Sequence, residues 1–230
     1  MKTAGLIGGI GPESTVEYYR EIVTSYRRRQ HEGDHPHLFI NSINMKQMLD
    51  LLEAEDLAGL ADYLADELDV LAKAGAHFGA IASNTPHVVF DELRRRSSIP
   101  LISIVEATCA KAKKMGLKRV GLLGTHFTMQ AAFYPTVFAR AGITLVTPDL
   151  IEQAYVHDKY MGELVEGIVR EETRRRFLHI TEALRRRDAV EGIILGGTEL
   201  PLLLSEEPEG LHFLNTTRIH AESIVEELLS

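Results

Sequence analysis

Short apolar runs alternate with longer segments of helical periodicity along the whole chain. The runs predict β-strands, and the periodic segments between them predict helices. The predicted strands are 3–8, 38–43, 77–82, 100–104, 119–123, 144–146, 192–195 and 211–214. The predicted helices are 13–29, 47–74, 86–96, 105–115, 128–141, 150–187 with one break, 199–204 and 216–229.

This alternation indicates an α/β fold. Strands that are apolar throughout are buried on both faces, so we expect parallel sheets flanked by helices. Two spacings indicate a repeat, because Gly9 and Ser83 lie 74 positions apart while Gly124 and Gly197 lie 73 apart. We therefore predict two similar lobes with a cleft between them. The predicted lobes are 1–105 plus 215–230, and 106–214.

Composition and charge narrow the class of protein. The chain has 230 residues, and 45% of them are hydrophobic, which suits globular units with sizeable cores. No apolar run approaches the roughly 18–20 residues of a membrane span, and the N-terminal run is too short for a signal peptide. A formal net charge of −8 argues against a nucleic-acid partner. We expect a cytoplasmic protein.

Cysteine and histidine content bears on disulfides and metals. Cys109 is the sole cysteine, which excludes an internal disulfide and a cysteine-based zinc site. Its position in a predicted helix favours a buried or interface role. His31, His35 and His37 lie near Asp34. They could form a surface metal site, or they could be solvated loop residues. We predict no metal site.

Four strand-to-helix turns carry the candidate chemistry. They read "GGIGPEST" (8–15), "SNTPH" (83–87), "GTHFT" (124–128) and "GGTELP" (196–201). In parallel sheets such turns lie at the carboxyl ends of the strands, where ligands bind. The free amides of a helix N-terminus bind a carboxylate without a charged side chain. The turns therefore predict a site for a small carboxylate.

In the turn "SNTPH", Thr85 is the expected N-cap and the following proline takes the first helical position. Ser83 and Asn84 would then project toward a ligand, although a plain capping turn is the alternative. His87 lies one residue into the helix. Its imidazole suits an acid–base role or a satisfied structural one.

The turns at 124–128 and 196–201 offer hydroxyls and glycines. Thr125 and Thr128 stand beside a helix start, and Thr198 is a candidate cap. Glu199 falls in the first helical turn, where a carboxylate is favourable. Gly197 allows the backbone to approach a ligand closely but supplies no side chain.

The turn "GGIGPEST" invites a dinucleotide interpretation through its Gly-x-Gly pair. Ser14 replaces the third glycine of the fingerprint, and no Walker lysine is present. We expect Gly9, Ser14 and Thr15 to contact a small anionic ligand or to cap the helix. An NAD-dependent enzyme remains a minor alternative.

Motifs across the chain resemble the aspartate/glutamate racemase family. They are "GLIGGIGPEST", "ASNTPH", "GLLGTHFTM…FYP", "YVHDKYMGELVEGI", "ILGGTELPLLL" and "TTRIHAESIV", in order from Lys2 to Ser230. The resemblance implies two α/β lobes, an active site in the cleft, no pyridoxal phosphate or other cofactor, and a homodimer. It also implies a small amino acid or related carboxylate as substrate.

The resemblance implies a mechanism with two cysteines on opposite faces of the substrate, in motifs that read C-N-T and G-C-T-E. One thiolate removes the α-proton and the other thiol delivers a proton, which suits the thiol pKa of about 8.5. This chain has Ser83 and Gly197 at those places, and Asn215 where the D-T motif has aspartate. His87 and Glu199 are the candidate bases that remain.

Three functions follow from these departures. The first is racemisation or closely related α-carbon proton chemistry, with Ser83 and Gly197 marking the acid–base positions. The substrate-binding residues would be Gly9, Ser14, Asn84, Thr85, Thr125, Thr128 and Thr198. The second is a carboxylate-binding protein without catalysis, and the third is a related lyase or decarboxylase. Candidate cations for an acidic side chain are Lys46, Lys159 and Arg170.

Overall fold

A computed structural model of the chain describes residues 2–30 and 34–230. The chain forms two compact units, one of Met1–Ala107 with Thr217–Ser230 and the other of Thr108–Thr216. We call them unit 1 and unit 2. His31, part of the histidine group considered for a metal, lies outside the described residues. Among the described residues, three or more His, Cys, Asp or Glu side chains nowhere gather as a metal would require.

Unit 1 holds a four-stranded parallel sheet. Its strands are β1 (Thr3–Gly8), β2 (His37–Ser42), β3 (Phe78–Ile81) and β4 (Leu101–Ile102), in the order β2-β1-β3-β4. Leu6 in β1 pairs with Ile40 in β2 and with Ala80 in β3. The central strands β1 and β3 are buried almost throughout, as their apolar sequences predict.

Helices cover both faces of this sheet. They are α1 (Pro12–Arg29), α2 (Met45–Glu53), α3 (Leu57–Ala74), α4 (Phe90–Arg96), α5 (Ile104–Lys114, which runs on into unit 2) and α11 (Thr216–Leu228). On one face, leucines at helical spacing in α3, such as Leu64 and Leu68, pack with Ile7. On the other, Ile22 of α1 and Val225 of α11 share a core.

Unit 2 repeats the arrangement. Its parallel strands are β5 (Arg119–Gly124), β6 (Thr144–Val146), β7 (Gly192–Gly196) and β8 (His212–Asn215), in the order β6-β5-β7-β8. Its helices are α6 (His126–Gln130), α7 (Phe133–Arg140), α8 (Leu150–Lys159), α9 (Glu171–Asp188) and α10 (Leu200–Leu203). A π-helical turn, Tyr160–Leu164, extends α8. The core includes Leu123, Phe177 and Ile193.

The two sheets therefore have the same strand order, with β1, β2, β3 and β4 matching β5, β6, β7 and β8. Two parallel sheets flanked by helices confirm the predicted fold class. No helix within the described ranges is long and apolar enough to cross a membrane.

Three predicted helices are subdivided. The single helix predicted at 47–74 is wrong, because Glu55 adopts a left-handed φ of 55° and Asp56 caps a new helix by accepting from the Gly59 N–H at 2.8 Å. The segment 128–141 is likewise two helices, α6 and α7. The segment 86–96 begins as a 3₁₀ helix, Thr85–Val89, before α4. The predicted break within 150–187 is confirmed between Leu164 and Glu171.

Candidate functional site

In unit 1, the turns after β1 and β3 are joined through one hydroxyl. Ser14 is buried, and its Oγ donates to the carbonyl of Ala82 at 3.3 Å. Gly9 has a φ of 80°, and its N–H donates to Thr15 Oγ1 at 2.8 Å. A Cβ at Gly9 would lie 2.6 Å from the Ile43 carbonyl, so only glycine fits there. Both predicted residues thus shape the turn.

The β3 turn presents Ser83 at its mouth. Ser83 is half-buried, Asn84 is buried, and the 3₁₀ helix begins at Thr85. The prediction of Thr85 as the N-cap is wrong by one residue, because the helix already includes Thr85 and its N-cap is Asn84. The three residues follow β3 directly, at the carboxyl end of a central strand, as the sequence predicts.

His87 lies behind this turn as one of two buried histidines. Its Nε2 accepts from the Ile104 N–H at 3.3 Å, and its ring stacks on Phe90. The second, His220 of α11, lies 6.4 Å from His87 between ring centroids. His220 Nε2 donates to the Ile102 carbonyl at 3.0 Å, and its Nδ1 accepts from the Tyr18 hydroxyl at 2.9 Å.

Burial keeps both imidazoles neutral. It lowers the pKa of His220 to about 4 and, together with the nearby His220, that of His87 to about 3. His87 Nδ1 is buried, and within residues 2–30 and 34–230 no well-formed hydrogen bond reaches it. Its only ring acceptor, Nε2, is occupied by the backbone of Ile104. The acid–base role of His87 stays a prediction.

In unit 2, the β5 turn is capped by its threonines. Thr125 Oγ1 accepts from the Thr128 N–H at 3.3 Å and lies 3.1 Å from Thr128 Oγ1. From α8, His157 Nδ1 accepts from the His126 N–H at 3.2 Å. Partial burial, then the neighbouring His126, lower the pKa of His157. The turn therefore offers polar groups beside a helix start.

The β7 turn carries a buried polar cluster, and Glu199 rather than the predicted Thr198 stands at the N-cap position of α10. Thr198 Oγ1 donates to Glu199 Oε2 at 2.7 Å, and the hydroxyl of Tyr160 donates to the same oxygen. Tyr160 and Glu199 are each only 6% exposed. Tyr160 comes from the π-helical turn after α8, so two elements distant in sequence build the cluster.

Gly197 lies directly beside the Tyr160 ring. A Cβ built at Gly197 would come within 2.8 Å of Tyr160 Cζ and 3.0 Å of its hydroxyl oxygen. The φ angle of Gly197 is not positive, so the backbone itself would accept any L-residue. Space rather than conformation explains glycine at this place.

The three candidate cations already face carboxylates. Lys46 Nζ lies 2.6 Å from Asp50 Oδ2 on the surface of α2. Glu163 Oε1 lies 2.6 Å from Lys159 Nζ and 3.6 Å from Arg170 Nε. Each of the three cations is therefore already paired with a carboxylate, and the structure assigns none of them to a ligand.

Cys109 and Asn215 lie outside the turns. Cys109 is buried in α5, with its Sγ 3.9 Å from the Val137 carbonyl. Asn215 ends β8 in register with Leu195, whose carbonyl accepts from Thr216 Oγ1 at 2.8 Å.

Sequence reasoning located the turns but missed two of their partners. Tyr160 stands in the motif "YVHDKYMGELVEGI", and His220 in "TTRIHAESIV", without a predicted role. Aromatic and histidine residues at helical spacing are typical of buried faces, so nothing local marks either one. Their contacts with Glu199 and His87 depend on tertiary packing.

Comparisons with known proteins agree along the whole chain. The Asp/Glu/Hydantoin racemase family matches residues 7–224. A Yersinia pestis crystal structure, described as a candidate Asp/Glu racemase, is 31% identical with full coverage of both chains and a TM-score of 0.93. An aspartate racemase homologue from Pyrococcus horikoshii is 32% identical with full coverage of both and a TM-score of 0.86.

The broad specificity amino-acid racemase RacX of Bacillus subtilis is 29% identical over 153 residues. That match covers 65% of this chain and 66% of RacX, just under two thirds of the relative. Together with the shared sheet topology, these matches show that the chain belongs to the Asp/Glu/Hydantoin racemase family.

Proposed function

We propose that this chain is an amino-acid racemase of the aspartate/glutamate type, acting by transfer of the α-proton. The observation that carries the proposal is the repeated topology of the sheets, in which the β3 and β7 turns hold the same place. Racemisation needs a proton-transfer group for each face of the α-carbon. Two equivalent turns, one with Ser83 and one with Gly197, supply two such places.

The threonine-rich turns suit the α-carboxylate of the substrate. Hydroxyls and backbone amides near helix starts bind an anion without a charged side chain. In this proposal Asn84, Thr85, Thr125, Thr128 and Thr198 hold the carboxylate. Gly9 and Ser14 keep the β1 turn in shape for it.

We further propose that the protein works without pyridoxal phosphate, in the cytoplasm and as a homodimer. The resemblance to racemases of this type supports the absence of pyridoxal phosphate and the homodimer. The net charge of −8 argues against a nucleic-acid partner. Light scattering tests the dimer, since it should give twice the 25.6 kDa mass of the chain.

Exchange of the α-proton in D₂O is the direct test of function. We expect NMR to show deuterium at the α-carbon of at least one amino acid, in a panel of both enantiomers that includes aspartate and glutamate. Racemisation should accompany the exchange, as chiral chromatography would show. Absence of exchange across the whole panel would contradict the proposal.

Replacement of Ser83 by cysteine should raise the exchange rate. A thiol with a pKa near 8.5 is a far better base at neutral pH than an alcohol, and placed proton-transfer groups contribute roughly 10²–10⁴-fold. We expect a rise of about tenfold or more in Ser83→Cys. The matched control is Ser98→Cys at an exposed serine of the same unit. Equal rates in both variants would argue against Ser83 as a proton-transfer position.

A further inference from the structure

The cluster at the β7 turn has the composition of an acid–base pair. A phenol and a carboxylate, both nearly excluded from solvent, share a hydrogen bond between Tyr160 and Glu199. Thr198 donates a second hydrogen bond to the same carboxylate oxygen at 2.7 Å. Among the described residues, no hydrogen bond is formed to the other carboxylate oxygen. Glu199 therefore retains an acceptor that the fold does not use.

The Tyr160 hydroxyl takes the place that a side chain at 197 would hold. The phenol oxygen lies 3.0 Å from the ideal Cβ position of Gly197. A reacting side chain at residue 197 would begin at this Cβ position. The phenol thus brings an O–H to the end of β7, where residue 197 itself has none.

The π-helical turn fixes the backbone of Tyr160. The Val165 N–H bonds to the Tyr160 carbonyl at 3.0 Å, the wide spacing that defines this turn. Glu163, in the same turn, accepts from Lys159 Nζ and from Thr173 Oγ1, each at 2.6 Å. The turn that carries Tyr160 is therefore held by an ion pair and a hydrogen bond.

The electrostatics keep the proton on the phenol. Burial, followed by the negative charge of Glu199, holds the pKa of Tyr160 well above its usual value of 10. At neutral pH the phenol of Tyr160 is therefore neutral. A phenoxide next to Glu199 would be unfavourable at the start or the end of a reaction step.

We propose that Tyr160 is a catalytic residue, with Glu199 as the acceptor behind it, on one face of the substrate. This inference rests on the proposed racemase function. As the α-C–H bond breaks, its proton forms a new bond to the phenol oxygen of Tyr160. The original phenol proton passes to the Glu199 carboxylate. The electron pair of the C–H bond stays on the α-carbon and spreads into the substrate's carboxylate.

The same path runs backwards to deliver a proton. Glu199 returns its proton to the phenol oxygen, and Tyr160 gives its own to the carbanion, so that tyrosine is neutral before and after each step. Inversion of configuration requires a separate group for the other face, for which Ser83 is the proposed candidate. Exchange on the Tyr160 face alone needs only this pair.

The test compares racemisation, which requires both faces, in wild type, Tyr160→Phe and Glu199→Gln. Phenylalanine keeps the ring over Gly197, and glutamine keeps an oxygen that accepts from the phenol, so both variants preserve packing. We expect kcat to fall roughly 10²-fold or more in each, with KM little changed, as for loss of a proton-transfer group.

Tyr155→Phe is the matched control on the same helix. Tyr155 lies five positions before Tyr160, and within the described residues its hydroxyl forms no hydrogen bond. This control should retain the wild-type rate, and thermal melting should confirm that all variants fold. Racemisation that persists at the wild-type rate in Tyr160→Phe would overturn the inference while leaving the proposed function intact. Absence of exchange in wild type would overturn both.

Discussion

Gly197→Ala should lower the free energy of unfolding by about 1–3 kcal/mol, the usual cost of overpacking a filled core. The new methyl group would sit 2.8 Å from Tyr160 Cζ, and the buried ring would have to move. Alanine also restricts the unfolded chain, which stabilises by about 0.4–1 kcal/mol where the backbone allows it. The crowding is the larger effect, so the net change is destabilising.

Urea denaturation measures this effect, and Gly162→Ala is its control. Gly162 lies in the π-helical turn beside Tyr160, its φ is not positive, and a Cβ there would meet nothing within 4 Å. If Gly197→Ala lowers the free energy of unfolding no more than Gly162→Ala does, the Tyr160 ring does not fill the space beside Gly197. In a Tyr160→Ala background, the cost of Gly197→Ala should largely vanish.

The same crowding applies to a thiol at this position. Gly197→Cys adds a larger side chain than alanine on the same Cβ. We expect it to require a smaller residue at 160. A cysteine introduced alone should therefore disturb the Tyr160–Glu199 pair rather than supplement it.

Acid should destabilise unit 1 through its two buried histidines. In the folded state the pKa of His220 is lowered to about 4 and that of His87 to about 3, against 6.5 in the unfolded chain. Below pH 6.5 the unfolded chain therefore binds more protons than the folded one, and stability falls as the pH falls. Each histidine contributes a slope of up to about 1.4 kcal/mol per pH unit. By pH 4, His220 alone accounts for about 3 kcal/mol.

Denaturation curves at several pH values between 7 and 4.5 measure this slope. His220→Gln should lower the slope by up to one proton, even though it also loses the hydrogen bond from Tyr18. The slope, rather than the absolute stability, is therefore the quantity to compare. His37→Gln, at an exposed histidine of the same unit, is the matched control. An unchanged slope in His220→Gln would contradict burial of a neutral imidazole.

Strand positions were predictable because buried parallel strands are apolar along their length. β1 and β6 occupy the predicted ranges, and the other strands differ from prediction only at their ends. The break at Glu55 was missed because the apolar periodicity continues across it. Asp56, three positions before Gly59, was the available signal, since aspartate is a preferred N-cap.

The candidate site was predictable only in part. The turns follow from the order of strands and helices, so Ser83 and Gly197 could be placed at strand ends. The Tyr160–Glu199 contact could not, because it depends on how the π-helical turn at the end of α8 packs against the β7 turn. Local periodicity does not reveal such long-range packing.

The volume shared by Gly197 and Tyr160 also constrains how this sequence can change over generations. A lineage that keeps the ring at 160 loses stability when it acquires a side chain at 197, whereas one that loses the ring does not. Substitutions at the two positions should therefore be compensatory, with the loss at 160 coming first. Descendants of a common ancestor would then fall into two groups, each with its own proton carrier at the end of β7.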